Sequence, residues 1–213
     1  MTRRQRILLA FGAFDALLFA LLVGLFLVRP EPEPVQDSGI PGVAGFAEPV
    51  ELQNFRLVDQ HGNPFTRDDL LGAWHLVFFG FTSCPDICPY AMQALESFYR
   101  DLDPATLQRD TGVIMVSVDP LRDTPQVMAD FVGRFHPDFV GLTGEYPQIA
   151  ALAQQLYFAF SKPGEHSSEH GGDYEIPHSD YIGVIDPQGR YRGLIHGPHS
   201  ADRLSQAYSY FRN

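Results

Sequence analysis

Eight consecutive residues, Trp74-His75-Leu76-Val77-Phe78-Phe79-Gly80-Phe81, carry one polar side chain among them. A continuous apolar run of that length suits a central strand covered on both faces, because no face of it is left to be polar. Beyond Pro89, the residues Met92, Leu95, Phe98, Tyr99 and Leu102 recur at helical spacing, which predicts an amphipathic helix to about Leu102. Between strand and helix lies Thr82-Ser83-Cys84-Pro85-Asp86-Ile87-Cys88-Pro89, which holds both cysteines of the chain. The order strand, cysteine loop, helix restricts the chain to an α/β architecture with its chemistry at a strand's carboxyl end.

The flanking segments extend this unit. Leu52 to Thr66, with His61-Gly62-Asn63-Pro64 at its centre, predicts a β-hairpin. Val113 to Val118 is a second buried strand, and a Pro-initiated helix from about Pro125 to Phe135 follows it, completing a βαβ-like unit. A further helix from about Tyr146 to Leu156 leads to a strand at Tyr157–Ser161. Strands at Tyr181–Ile185 and Tyr191–Ile195 form a hairpin turned at Asp186-Pro187-Gln188-Gly189, and a helix closes the chain over Ala201–Phe211. No internal repeat is present. The expected body is one α/β domain with a central mixed sheet flanked by helices, an N-terminal β-hairpin and a C-terminal one.

Ahead of the body, Ile7 to Val28 is apolar apart from Asp15, long enough as a helix to span a bilayer's roughly 30 Å hydrocarbon core. Arg3, Arg4 and Arg6 precede it and only Arg29 follows, so positive-inside bias leaves the N-terminus cytoplasmic and exports the body. In a bacterium the body then occupies the periplasm, attached to the inner membrane by a single pass. The run exceeds an ordinary signal-peptide core of about 7–15 residues and lacks an adjacent A-x-A site, which favours an uncleaved anchor. Pro-Glu repeats and glycines after it read as an extended spacer. The expected organisation is residues 1–6 cytoplasmic, 7–28 transmembrane, 29–49 tether and 50–213 folded domain, with the fold taking over near Phe46.

Residues 1–45 hold four Arg and four acids, so the remaining 11 basic and 22 acidic residues place the whole net charge of −11 on the body. A surface of that sign without a Lys/Arg cluster repels phosphate backbones and excludes nucleic acid as a partner. Its partners are expected to be proteins or cations. Two cysteines in one short stretch also exclude a disulfide-scaffolded fold.

A thiolate at a helix N-terminus is stabilised by unpaired N–H groups and the helix dipole, so the position is expected to lower the pKa of Cys84 and Cys88. Pro85 and Pro89 place both sulfurs in the entry loop and first turn, expected to face outward together. Three intervening residues open a wider bite than the usual C-x-x-C dithiol, which suits a metal without forbidding a disulfide. Two soft thiolates select Cu(I), Zn or iron–sulfur chemistry, and a site with few ligands favours transferable copper over closed structural zinc. A third ligand has to come from elsewhere. Of eight histidines, His178 stands just before a predicted strand in Ile176-Pro177-His178-Ser179 and is the candidate imidazole, although a lone loop histidine is by position alone more often an ordinary surface residue. His166 and His170 read as a solvated loop, His196 and His199 as turn residues around Gly197-Pro198, and Tyr157, Phe158 and Phe160 as core. Asp119 is either a carboxylate behind the metal or a turn cap before Pro120.

The segment Gly80-Phe81-Thr82-Ser83-Cys84-Pro85-Asp86-Ile87-Cys88-Pro89, followed by Ser117-Val118-Asp119-Pro120-Leu121-Arg122-Asp123-Thr124-Pro125, resembles the Sco/SenC family, from about Phe55 to the end. The resemblance implies a thioredoxin-like fold and a membrane-anchored copper chaperone for cytochrome c oxidase assembly. Its ligands fall on Cys84, Cys88 and His178, holding Cu(I) or Cu(II), with Pro177 where family members commonly carry Asp. It also implies as partners the oxidase's copper-bearing subunit, an upstream copper donor and a thiol reductant. The alternative function is a thiol–disulfide reductase in which Cys84 attacks and Cys88 resolves. A peroxiredoxin is excluded by Phe81 and Pro85, which stand three residues before the cysteines where Thr is required.

Overall fold

The computed structural model describes residues 35–105, 107–161, 176 and 179–213, together with Phe19. The expected anchor at 7–28 apart from Phe19, the first part of the expected tether, and His166, His170, Pro177 and His178 lie outside the described residues. Among the described residues, no helix is long and apolar enough to cross a membrane.

Thirteen elements build the domain, in the order β1 (Val35–Asp37), β2 (Val43–Glu51), β3 (Arg56–Asp59), β4 (Pro64–Thr66), β5 (Trp74–Gly80), α1 (Ile87–Asp101), β6 (Thr111–Ser117), α2 (Pro125–Val132), β7 (Val140–Thr143), α3 (Tyr146–Gln155), β8 (Ile182–Ile185), β9 (Arg190–Ile195) and α4 (Ala201–Arg212) among the described residues. The strands form one sheet in the order β1-β2-β9-β8-β5-β6-β7-β3-β4. The pairs β5/β6 and β6/β7 are parallel, each joined by a helix, while the other neighbours are antiparallel.

Alternation along the strands divides the core in two. Leu76, Phe78, Val113 and Met115 face α1, α2 and α4, whereas Val77, Phe79, Ile114 and Val116 face α3 and the loops beside it. Both parallel crossovers put their helices on the first face, as right-handed connections in one direction require. β5 is buried from His75 to Gly80, as its apolar run predicts.

Three features differ from expectation. The segment expected as spacer up to residue 49 contributes β1 and β2, with Val43 opposite Ile195 and Gly45 opposite Gly193. Gly193 has φ +148°, and a Cβ there would stand 2.1 Å from the Ala44 carbonyl oxygen, so its missing side chain admits β2 to the sheet. The β2–β9 register shifts between Gly45 and Val50, a break that accommodates Pro49, which has no N–H for the ladder. No strand forms at Tyr157–Ser161. Tyr157 turns the chain at φ +58° after α3, leaving only an isolated bridge at Phe160. Finally, β7 extends the parallel set beyond the βαβ unit that the sequence suggested.

Candidate metal centre

The centre sits where β5 ends and α1 begins. Cys84 lies in the loop, its N–H donating to the Phe81 carbonyl at 3.2 Å, while Cys88 is the second residue of α1. Pro89 follows without breaking the helix, because first-turn N–H groups have no intrahelical acceptor to lose. Cys84 is half-buried and Cys88 is fully buried, which corrects the expectation that both sulfurs face outward. Gly80 is the reason: a Cβ at this last residue of β5 would lie 2.7 Å from Cys88 Sγ, so the sulfur packs into the space that glycine leaves.

The electrostatics of Cys88 also differ from expectation. Its thiol is pushed far above the ordinary cysteine range, first by hydrogen bonding with Cys84, then by burial, with smaller repulsion from Cys84 and Asp123. Helix position alone is outweighed. The two sulfurs are therefore hydrogen-bonded to one another as a thiol pair, with no disulfide between them. Displacement of the thiol protons into solvent by a bound cation, or two-electron oxidation to an S–S bond, are the two changes such a pair can undergo.

The loop between β6 and α2 supports the cysteine loop from behind. The Val118 N–H donates to the Gly80 carbonyl at 2.8 Å, carrying the β5–β6 pairing past the end of the strands. Asp123, fully buried, accepts from Thr82 Oγ1 at 2.6 Å, from the Thr82 N–H at 3.1 Å and from Ser117 Oγ at 2.6 Å. Burial raises its pKa, and these three bonds oppose the rise. Asp119, also buried, is paired with Arg122, whose guanidinium lies 5.7 Å from the centre of the Phe81 ring. Its carbonyl caps the turn by accepting from the N–H groups of Arg122 and Asp123 at 3.2 and 2.9 Å. Thr124 then starts α2, its hydroxyl accepting from the Val127 N–H at 3.4 Å ahead of Pro125.

Asp123, Ser117, Thr82 and Gly80 were not singled out from the sequence for any role. The only signal was their place inside the two quoted motifs. The third expected ligand, His178, is not described, but its neighbours are: Ile176 is buried in the cluster that holds Phe81 and packs against Cys84, and the Ser179 N–H donates to the Ala159 carbonyl at 2.9 Å. Among the described residues no three His, Cys, Asp or Glu side chains converge as a metal site. The His196 ring meets Tyr181 edge to face with centroids 5.1 Å apart, and His199 Nε2 lies 2.6 Å from the Asp180 carbonyl oxygen, so both are tied into the turn. Beside the first turn of α1 a groove of about 510 Å³ runs between Ile87 and Tyr90 on one side and Asp180 and Pro198 on the other. Ile87 and Tyr90 are exposed, giving the neighbourhood of the cysteines an apolar rim.

The sequence model described as SCO1/SenC matches residues 46–210. A SCO2-like protein of Rickettsia prowazekii is 36% identical over 154 residues, covering 72% of this chain and 73% of its own. Among solved structures, ScoI of Arabidopsis thaliana with copper bound superposes with a TM-score of 0.67 at 30% identity, covering 75% of this chain and 97% of the other. ScoI of Bradyrhizobium japonicum with copper bound gives 0.66 at 29% identity, covering 76% and 99%.

Proposed function

We propose a copper-carrying function for this chain, which belongs to the SCO1/SenC family. The observation that carries it is the hydrogen-bonded pairing of Cys84 and Cys88 at a strand end, with one sulfur half-exposed and one buried. Soft paired thiolates suit copper, and relatives of the same fold are described with copper bound. Cys84 and Cys88 supply the sulfur ligands and His178 an imidazole, so Cu(I) is held by three donors and Cu(II) by the same three.

The cargo leaves by ligand exchange. Cys84 is the accessible sulfur through which an incoming thiolate of a target would first bind, while Cys88, seated against Gly80, lets go last. The target is the copper-bearing subunit of cytochrome c oxidase, and the cell must supply both a copper donor and a reductant that keeps the pair as thiols. The arginine-flanked apolar run at residues 7–28 anchors the chain in the inner membrane, with the folded domain in the periplasm.

A second reading is favoured by the same pairing: two such sulfurs at a helix start can close to a disulfide, so the chain also reduces a target's cysteines, with Cys84 attacking and Cys88 resolving.

Copper titration of the reduced protein tests the first reading. One copper per chain is expected, and His178→Ala is expected to weaken Cu(II) strongly and Cu(I) modestly, since two thiolates still satisfy the softer ion. An unchanged Cu(II) affinity and visible spectrum in that variant would remove His178 from the site.

A further inference from the structure

We infer that Asp123 is a positioning residue that biases the cysteine pair toward the more highly charged copper ion. The inference rests on the copper reading above and goes beyond it by naming what sets the preferred oxidation state.

Asp123 receives three hydrogen bonds. Thr82 provides two of them, through Oγ1 at 2.6 Å and its N–H at 3.1 Å, and Ser117 Oγ provides the third at 2.6 Å. Ser117 Oγ accepts from the Asp119 N–H at 3.0 Å, which leaves its single proton to point at Asp123. Donors arranged on both oxygens favour the carboxylate over the acid. Yet among the described residues no Lys, Arg or His lies within ion-pair distance of Asp123, since the adjacent Arg122 is paired with Asp119. Above its raised pKa, Asp123 is therefore a buried negative charge that receives its hydrogen bonds from neutral groups, bound to the residue two positions before Cys84. Its repulsion reaches Cys88.

With two thiolates and a neutral imidazole, a Cu(II) site is neutral and a Cu(I) site carries one negative charge. A fixed carboxylate nearby repels only the second. Acting through an effective dielectric constant of about 20, one unit charge about 12 Å from the metal shifts the ratio of Cu(II) to Cu(I) affinity by a factor on the order of ten. Asp123 thereby lowers the copper reduction potential and slows loss of the metal's second charge. The bonds to Thr82 also fix the cysteine loop, so a purely mechanical role has to be separated from the charge.

Two variants of the full chain separate them. Asp123→Asn removes the charge and keeps an acceptor, while Ser117→Ala removes one donor and keeps the charge. Affinities for Cu(II) and Cu(I) are measured by competition with chromophoric chelators, and the potential by spectroelectrochemistry. Asp123→Asn is expected to lower the Cu(II)/Cu(I) affinity ratio about tenfold, which raises the one-electron potential by about 59 mV. Ser117→Ala, measured at a pH high enough to keep Asp123 ionised without that donor, is expected to leave the potential unchanged or lower it. An unchanged ratio in a folded, copper-binding Asp123→Asn protein overturns the inference, as does an equal rise in both variants. Should Asp123→Asn not fold, a rise in Ser117→Ala overturns it alone. A parent chain that takes up no copper overturns the reading beneath it instead.

Discussion

A methyl group added at Gly80 would stand 2.7 Å from Cys88 Sγ and 2.7 Å from Phe78 Cε1, closer than real Cβ contacts come. Both neighbours are fully buried, so neither has open space to move into. Gly80→Ala is therefore expected to destabilise the domain by about 1–3 kcal/mol and to push Cys88 off Cys84. Denaturant melts check the first effect, and the rate of Cys84–Cys88 disulfide formation under a fixed oxidant, expected to fall, checks the second. At this scale the sequence was uneven. Cys84 and Cys88 were legible because thiols are rare and these are the only two cysteines of the chain. Asp123 was not, because its importance lies in bonds to Thr82 and Ser117, and nothing local in the sequence distinguishes an acid that receives three donors from an ordinary turn residue. The pKa of Cys88 was hidden for the same reason: helix position is visible in sequence, but the hydrogen bond with Cys84 and burial behind Gly80 are not.

Among the elements, β5 and α1 were legible because each carries a long, unmixed hydrophobic period. β7, at four residues, is too short to show one, and β2 was hidden by the Pro and Gly content around it. The start of β5 carries the element's most telling polar residue. His75 is buried, its Nε2 is 3.2 Å from the Leu70 carbonyl oxygen, and burial pulls its pKa from 6.5 down to about 4, outweighing that bond. The unfolded chain takes up the proton near pH 6.5 and the folded one only near 4, so the unfolded state binds more protons between those values. Stability is then fully present above about pH 6.5 and is lost as pH falls toward 4. Between pH 7.5 and 5 this one group is expected to remove about 2 kcal/mol. Urea melts of the parent and of His75→Gln at both pH values check it: the parent should lose more stability on acidification than the variant by about that amount.

For the whole molecule, the proposed anchor makes the copper site a membrane-confined one, and confinement raises its effective concentration toward a membrane-bound target. Removing Met1 to Pro34 while exporting the remainder, which still contains β1, is expected to preserve copper affinity yet support oxidase assembly poorly when copper is scarce, with partial rescue when it is plentiful. Oxidase activity in cells carrying each version, measured across a copper titration at matched abundance, checks it. Equal activity throughout would reduce the N-terminal run to an export signal. The sheet order has a consequence of another kind. β2, the second strand to be made, takes as its neighbour β9, almost the last, with Val43 opposite Ile195 across nearly the full length of the body. Such distant pairing carries a high loop-closure entropy and belongs to slow-folding topologies. During synthesis, β2 and β8 have no β9 to lie against until residues Arg190–Ile195 have been made, so the cysteines, which are made earlier, spend that interval in a chain whose sheet is still open at one side.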